Sequence, residues 1–98
     1  MKTLSIDIIK EKVTPVCQRH GVKAAYLFGS YARGEATENS DVDIRIEGGK
    51  IHSLFELSAF RVDLVEALEM SVDIISALPD SLTFRKNLQN EEVLLYAA

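Results

Sequence analysis

The chain has 98 residues, of which 47% are apolar and 27% charged, with a net charge of −4. That length suits one small domain, residues 1–98, with a thin core. The acidic balance excludes broad electrostatic binding of nucleic acid, which takes a basic patch. The one cysteine, Cys17, excludes an internal disulfide. With no signal-peptide core and no run near the roughly 20 apolar residues of a membrane span, the chain reads as cytoplasmic, without membrane contact.

In chain order, residues 5–20 carry Ile6, Ile9, Val13, Val16 or Cys17, and His20 at three- and four-residue steps, the period of a helix. Ser5 suits its N-cap and Gly21 its stop. Pro15 removes one helical hydrogen bond and is expected to kink or divide the helix. Residues 23–28 are short and apolar and read as a buried strand ended by Gly29. Ser30 stands where an N-cap belongs, with a helical turn over 30–34 and a polar loop over 35–40. Residues 41–47 alternate: Val42, Ile44 and Ile46 point one way, and Asp41, Asp43, Arg45 and Glu47 the other. Gly48-Gly49 ends that strand.

Ser53 and Glu56 form a capping box, and the helix after it carries a stripe of Leu54, Leu57, Phe60, Leu64 and Leu68, running to about Glu69. Residues 71–77 read as a third strand. Pro79-Asp80-Ser81 is a turn, and Leu82 to Leu88 a short helix. Val93 to Tyr96 fits a last strand or a helix end equally well. The order predicts an α/β (α+β) sandwich: a small mixed sheet with helices packed on one side and polar chemistry on the other.

Asp41 and Asp43 project from one strand face, roughly 6 to 7 Å apart along the backbone. Two hard oxygen donors so placed suit Mg²⁺ shared with phosphate oxygens, and a second ion on the same carboxylates would permit two-metal nucleotidyl transfer. Taken alone, Asp-x-Asp is equally a solvated edge of a strand. The Gly29-Ser30 turn upstream lets a phosphate approach the backbone, though alone it too is merely a strand-to-helix turn. Arg33 meets a phosphate or pairs with Glu35. Asp73, between Val72 and Ile74, is the candidate third carboxylate, since an acid in an apolar strand needs compensation. Its rival, Asp63, falls inside a helix and reads as solvated. His20 reads as a surface or capping residue, His52 as solvent-exposed and Cys17 as core. No metal-ligand Cys/His set, Ser/His/Asp signature or Walker A motif is present.

Gly29-Ser30, ten residues, then Asp41-x-Asp43 resembles the signature of the DNA polymerase beta-like nucleotidyltransferase superfamily. The fuller strings Tyr26 to Gly34 and Ser40 to Ile44 resemble its single-domain branch, the minimal nucleotidyltransferase (MNT) proteins, and the likeness extends through Val72-Asp73-Ile74-Ile75 to Glu92-Val93-Leu94-Leu95-Tyr96. The resemblance implies the polymerase beta-like fold and AMP transfer from ATP with two Mg²⁺ ions. By position, Asp41, Asp43 and Asp73 would be catalytic metal ligands, and Gly29, Ser30 and Arg33 would bind the nucleotide. It further implies an antitoxin acting on a tyrosine of a HEPN-family RNase toxin encoded nearby, in a hetero-oligomer. The alternatives are an antitoxin that neutralises by binding alone, and a transferase acting on a small molecule or RNA end. Arg45 departs from the family pattern: it helps hold the nucleotide or pairs with Glu47.

Overall fold

In the computed structural model, residues 3–75 and 92–98 are described. They form α1 (Ile6–His20), β1 (Ala24–Phe28), α2 (Gly29–Arg33), β2 (Val42–Glu47), α3 (Leu54–Leu68), β3 (Val72–Ile75) and β4 (Val93–Ala97). The expected turn at Pro79, the helix over 82–88 and the last residues of the third strand lie outside the described residues. Among the described residues, no helix is long and apolar enough to cross a membrane.

Both long helices start as the sequence dictates. Ser5 Oγ accepts from the Ile8 amide at 3.2 Å, and Gly21 closes α1 in the left-handed conformation at φ 70°. Pro15 does not divide α1. It lies on the exposed side, where water can serve the Glu11 carbonyl that the missing N–H leaves. For α3, Ser53 Oγ accepts from the Glu56 amide at 3.1 Å, while Glu56 Oε1 accepts from the His52 amide at 3.1 Å. Of the expected α3 stripe, Phe60, Leu64 and Leu68 are buried and Leu57 packs against them, but Leu54 is 82% exposed. It sits in the first turn, outside the buried cluster.

The sheet order is β3-β2-β1-β4. β1 runs antiparallel to β2 and β4, and β2 runs parallel to β3, so the sheet is mixed. The ambiguous tail is therefore a strand: pairing with β1, rather than its own periodicity, settles Val93–Ala97. On one face, Ala25, Leu27, Val42, Ile44 and Ile46 meet Ile9, Val13 and Cys17 of α1 and Phe60 and Leu64 of α3 in one buried cluster. Burying an aliphatic side chain there contributes about 1.5–3 kcal/mol. The other face carries Tyr26, Phe28, Asp43, Arg45 and Asp73, as the alternation requires.

α3 ends on Glu69 at φ 55°, ψ 39°, a left-handed cap without glycine. A Cβ in that region costs roughly 1 kcal/mol. Glu69→Gly is expected to raise stability by about 0.5–1 kcal/mol, a few degrees in Tm for a domain of this size. Thermal unfolding followed by circular dichroism checks it; an unchanged or lower Tm would show the strain to be absorbed elsewhere.

Candidate active site

The site is built on the sheet face away from the helices. Asp43 is the second residue of β2, half-buried, with Phe28 opposite it on β1 and Asp73 opposite it on β3. Adjacent strands lie about 4.8 Å apart, so the Asp43 and Asp73 carboxylates leave neighbouring backbones on one face. Asp41 precedes β2 and is exposed. Burial raises the Asp43 carboxyl above its usual 3.8, and the charges of Asp73 and Asp41 raise it further, while Arg33 lowers it. Asp41, Asp73 and Arg33 are thus each within electrostatic reach of Asp43. Among the described residues, no three His, Cys, Asp or Glu side chains close on a common point.

Gly29 follows β1 directly and adopts φ +74°. A Cβ at this position would run into Asp43 Oδ2 and stand 3.2 Å from Asp43 Cγ. Glycine is therefore required twice, for the left-handed backbone and for the carboxylate lying against it. Gly29→Ala is expected to shift Asp43 and lower activity by roughly a hundredfold, as a displacement of about 1 Å at a reacting centre does. Steady-state kinetics on a variant of verified fold checks it; an intact rate would mean that Asp43 need not stand where it does.

Ser30 is not an N-cap. α2 begins one residue earlier, the cap position falls on Phe28, and no side-chain hydrogen bond caps it. Ser30 lies half-buried in the first turn of α2, and its carbonyl accepts from the Glu35 amide at 2.9 Å. Arg33 Nε donates to Glu35 Oε1 at 2.7 Å, so the pairing alternative is realised. Its influence on Asp43 keeps its charge on the site as well. A polar cleft of about 290 Å³ opens beside Asp41, lined by Glu38, Ser40, Glu69 and Ser71 among others.

Two residues take other places than expected. Arg45 shares the face of Asp43 but is 2% exposed. Its guanidinium lies 4.4 Å from the Tyr26 ring centroid. Nε and Nη2 donate to the two Glu92 carboxylate oxygens, the latter bond at 2.9 Å, and Nη1 donates to Glu47 Oε1 at 2.8 Å. The hydrogen bonds to Glu92 and then to Glu47 raise its pKa against the opposing effect of burial. Arg45 thus pairs with Glu47, one of its two expected roles, and with Glu92 as well. Asp63 is not simply solvated: its Oδ2 meets His20 Nε2 at 2.6 Å and Arg19 Nη1 at 3.1 Å. The His20 hydrogen bond holds its carboxyl below the usual value. It ties α1 to α3, and His20 also packs edge-on against Phe60. Cys17 is fully buried, and its thiol is raised to about 12 by desolvation, which leaves it inert.

A family model described as polymerase beta nucleotidyltransferase matches residues 11–98. A Methanocaldococcus jannaschii protein, provisionally named a protein adenylyltransferase, is 39% identical over 90 residues, 92% of this chain and 97% of that one. The protein adenylyltransferase MntA of Thermococcus cleftensis is 41% identical over 58 residues, 59% of each chain. A solved structure provisionally named a minimal nucleotidyltransferase superposes with a TM-score of 0.77 at 28% identity, covering 95% of this chain and 98% of the other. The complex of a tri-AMPylated Shewanella oneidensis HEPN toxin with its MNT antitoxin contains a chain with this fold. It superposes with a TM-score of 0.70 at 18% identity, covering 95% of this chain and 73% of that one.

Proposed function

Because the chain belongs to the polymerase beta nucleotidyltransferase family, we propose that it transfers AMP from ATP to a hydroxyl of a protein partner, a tyrosine of a HEPN-family RNase toxin, and so serves as the antitoxin. The observation that carries this reading is the placement of Asp43: desolvated, raised by Asp73 and Asp41, and pressed against Gly29. Carboxylates brought together at such a cost need a counter-charge. The named activities of the relatives, and the toxin in the solved complex, point to the acceptor.

The donor set, hard carboxylate oxygens whose mutual repulsion a cation relieves, fits Mg²⁺. Asp41 and Asp43 would hold it, with Asp73 completing the set, and when bound it neutralises charge on the phosphates. The chain's own residues do the rest. Gly29 allows the triphosphate to approach the backbone beside Asp43, and the Ser30 amide and hydroxyl are donors at the same turn. Arg33 supplies a cation at the edge of the site. The acceptor oxygen forms a bond to the α-phosphorus as the bond to pyrophosphate breaks in line. The proton of the acceptor leaves to a carboxylate, for which Asp73, exposed on β3, is the reachable group. The acidic cleft beside Asp41 disfavours a bare triphosphate and so favours the metal-complexed form.

The test is the intact mass of the copurified partner before and after Mg-ATP. A gain of AMP on the partner with the wild-type chain, absent with Asp41→Asn/Asp43→Asn, is the expected result. A partner of constant mass whose RNase activity stays blocked would replace this reading with neutralisation by binding.

A further inference from the structure

Helix α2 has little of its own to hold it. Five residues are too few for a helix to be stable by itself, no side chain caps its start, and one of its residues, Tyr31, is buried. Tyr31 and Met70 are 3% and 8% exposed and belong to the shared core. Tyr31 Oη donates to Met70 Sδ at 3.4 Å. Met70 stands in the turn between α3 and β3, beside Ser71, whose carbonyl accepts from the Val42 amide at 3.0 Å. The bond therefore runs from the helix after β1 to the turn before β3, past the strand β2 that lies between them.

That hydroxyl is poorly placed for stability alone. A thioether is a weak acceptor, and a hydroxyl taken out of water loses free energy that only a good hydrogen bond returns. Phenylalanine fills the same space without that loss. What the hydroxyl adds is direction: it fixes where the tip of the ring ends, and so the tilt of the short helix that carries it. Ser30 precedes Tyr31 in that helix, and Asp73 follows Met70 by three residues. One hydrogen bond thus links the turn on one side of Asp43 to the strand on the other.

We propose that Tyr31 is a positioning residue for the triphosphate of the nucleotide. Held by Met70, it sets the Ser30 amide and hydroxyl relative to the carboxylates of β2 and β3. Gly29 needs no such help, because Asp43 lies directly against it. The hydrogen bond from the Glu35 amide to the Ser30 carbonyl closes α2 on itself and leaves its tilt open. The role assigned to Tyr31 rests on Gly29-Ser30 being the triphosphate turn.

Isothermal titration calorimetry of the full chain with Mg-ATP and with Mg-AMP, beside thermal unfolding, tests this. The wild type is expected to prefer Mg-ATP. Tyr31→Phe is expected to weaken Mg-ATP about tenfold, the scale of coupling between residues in contact. Its affinity for Mg-AMP, which lacks the β- and γ-phosphates, is expected to stay unchanged and its Tm not to fall. Met70→Leu removes the acceptor and is expected to weaken Mg-ATP by the same factor while lowering the Tm, since it strands the hydroxyl. The double variant is expected to bind Mg-ATP no more weakly than Tyr31→Phe. A Tyr31→Phe chain that keeps the wild-type preference, or one that loses Mg-ATP and Mg-AMP alike with a fall in Tm, would overturn the proposal and leave the bond a matter of packing. Met70→Leu binding Mg-ATP as the wild type does would overturn it too. A wild type without preference for Mg-ATP over Mg-AMP would overturn the triphosphate turn itself, and the role of Tyr31 with it.

Discussion

Asp43→Asn is expected to lower AMP transfer about a thousandfold or more, equivalent to about 4 kcal/mol of barrier, and at the same time to stabilise the fold. The second effect follows from the first residue's surroundings. Burial, Asp73 and Asp41 all disfavour the charged form of Asp43, and the opposing influence of Arg33 is the smallest. An amide of the same shape removes the disfavoured charge. A higher Tm than that of the wild type is therefore expected at neutral pH, where the charge is fully present.

The pH dependence has a definite sign. With its folded-state pKa above the usual 3.8, Asp43 binds more proton in the folded chain than in the unfolded one across the interval between the two values. Stability therefore falls as pH rises through that interval and keeps the full penalty above it. Asp43→Asn removes this contribution to the acid slope. Mg²⁺ with ATP is expected to raise the Tm of the wild type but not of the variant, since a ligand stabilises only the state that binds it. Chemical denaturation across the acid range, with transfer assayed in parallel, checks both effects. A variant with wild-type transfer would remove Asp43 from the chemistry; one with an unaltered slope would remove the electrostatic account.

Arg45→Met is expected to destabilise the chain by about 3–5 kcal/mol, since it strands the buried Glu92 carboxylate. The Arg45 and Glu92 side chains are 3% and 7% exposed. The guanidinium reaches from β2 across Tyr26 of β1 to Glu92 at the head of β4, so the pair fastens three strands. Replacing both, as Arg45→Met/Glu92→Met, is expected to recover most of the loss. An apolar pair of similar volume pays no desolvation, while a single survivor pays it whole. Urea unfolding of the singles and the double forms the cycle. If the double proves no better than Arg45→Met, the loss lies in packing against Tyr26 and not in the orphaned charge.

Arg45 also shows where a reading of residues in order stops. Its alternation placed it on the face of Asp43, and the structure keeps it there. Glu92, 47 positions away, gives no local sign of being its partner. The same holds for Asp63, whose helical position was legible while its partners Arg19 and His20 were not. Leu54 fits the periodicity of the α3 stripe, yet lies outside the buried cluster. Period specifies a face but not the extent of what covers it.

Local chemistry alone determined much of this protein. Caps at Ser5, Gly21 and Ser53, the alternation from Asp41 to Glu47, and the span from Gly29 to Asp43 all act within a few residues or one strand, so they are present in the sequence itself. Three things required the tertiary structure. The tail became β4 because β1 offers an edge with matching hydrogen bonds. Asp73 joined Asp43 because β3 pairs parallel to β2 in that register and no other. The reason for glycine at position 29 emerged only when the Asp43 carboxylate was set against it. Each depends on which strands become neighbours, and that is settled by burying one shared core beneath α1 and α3, a property of the whole chain and of no segment within it.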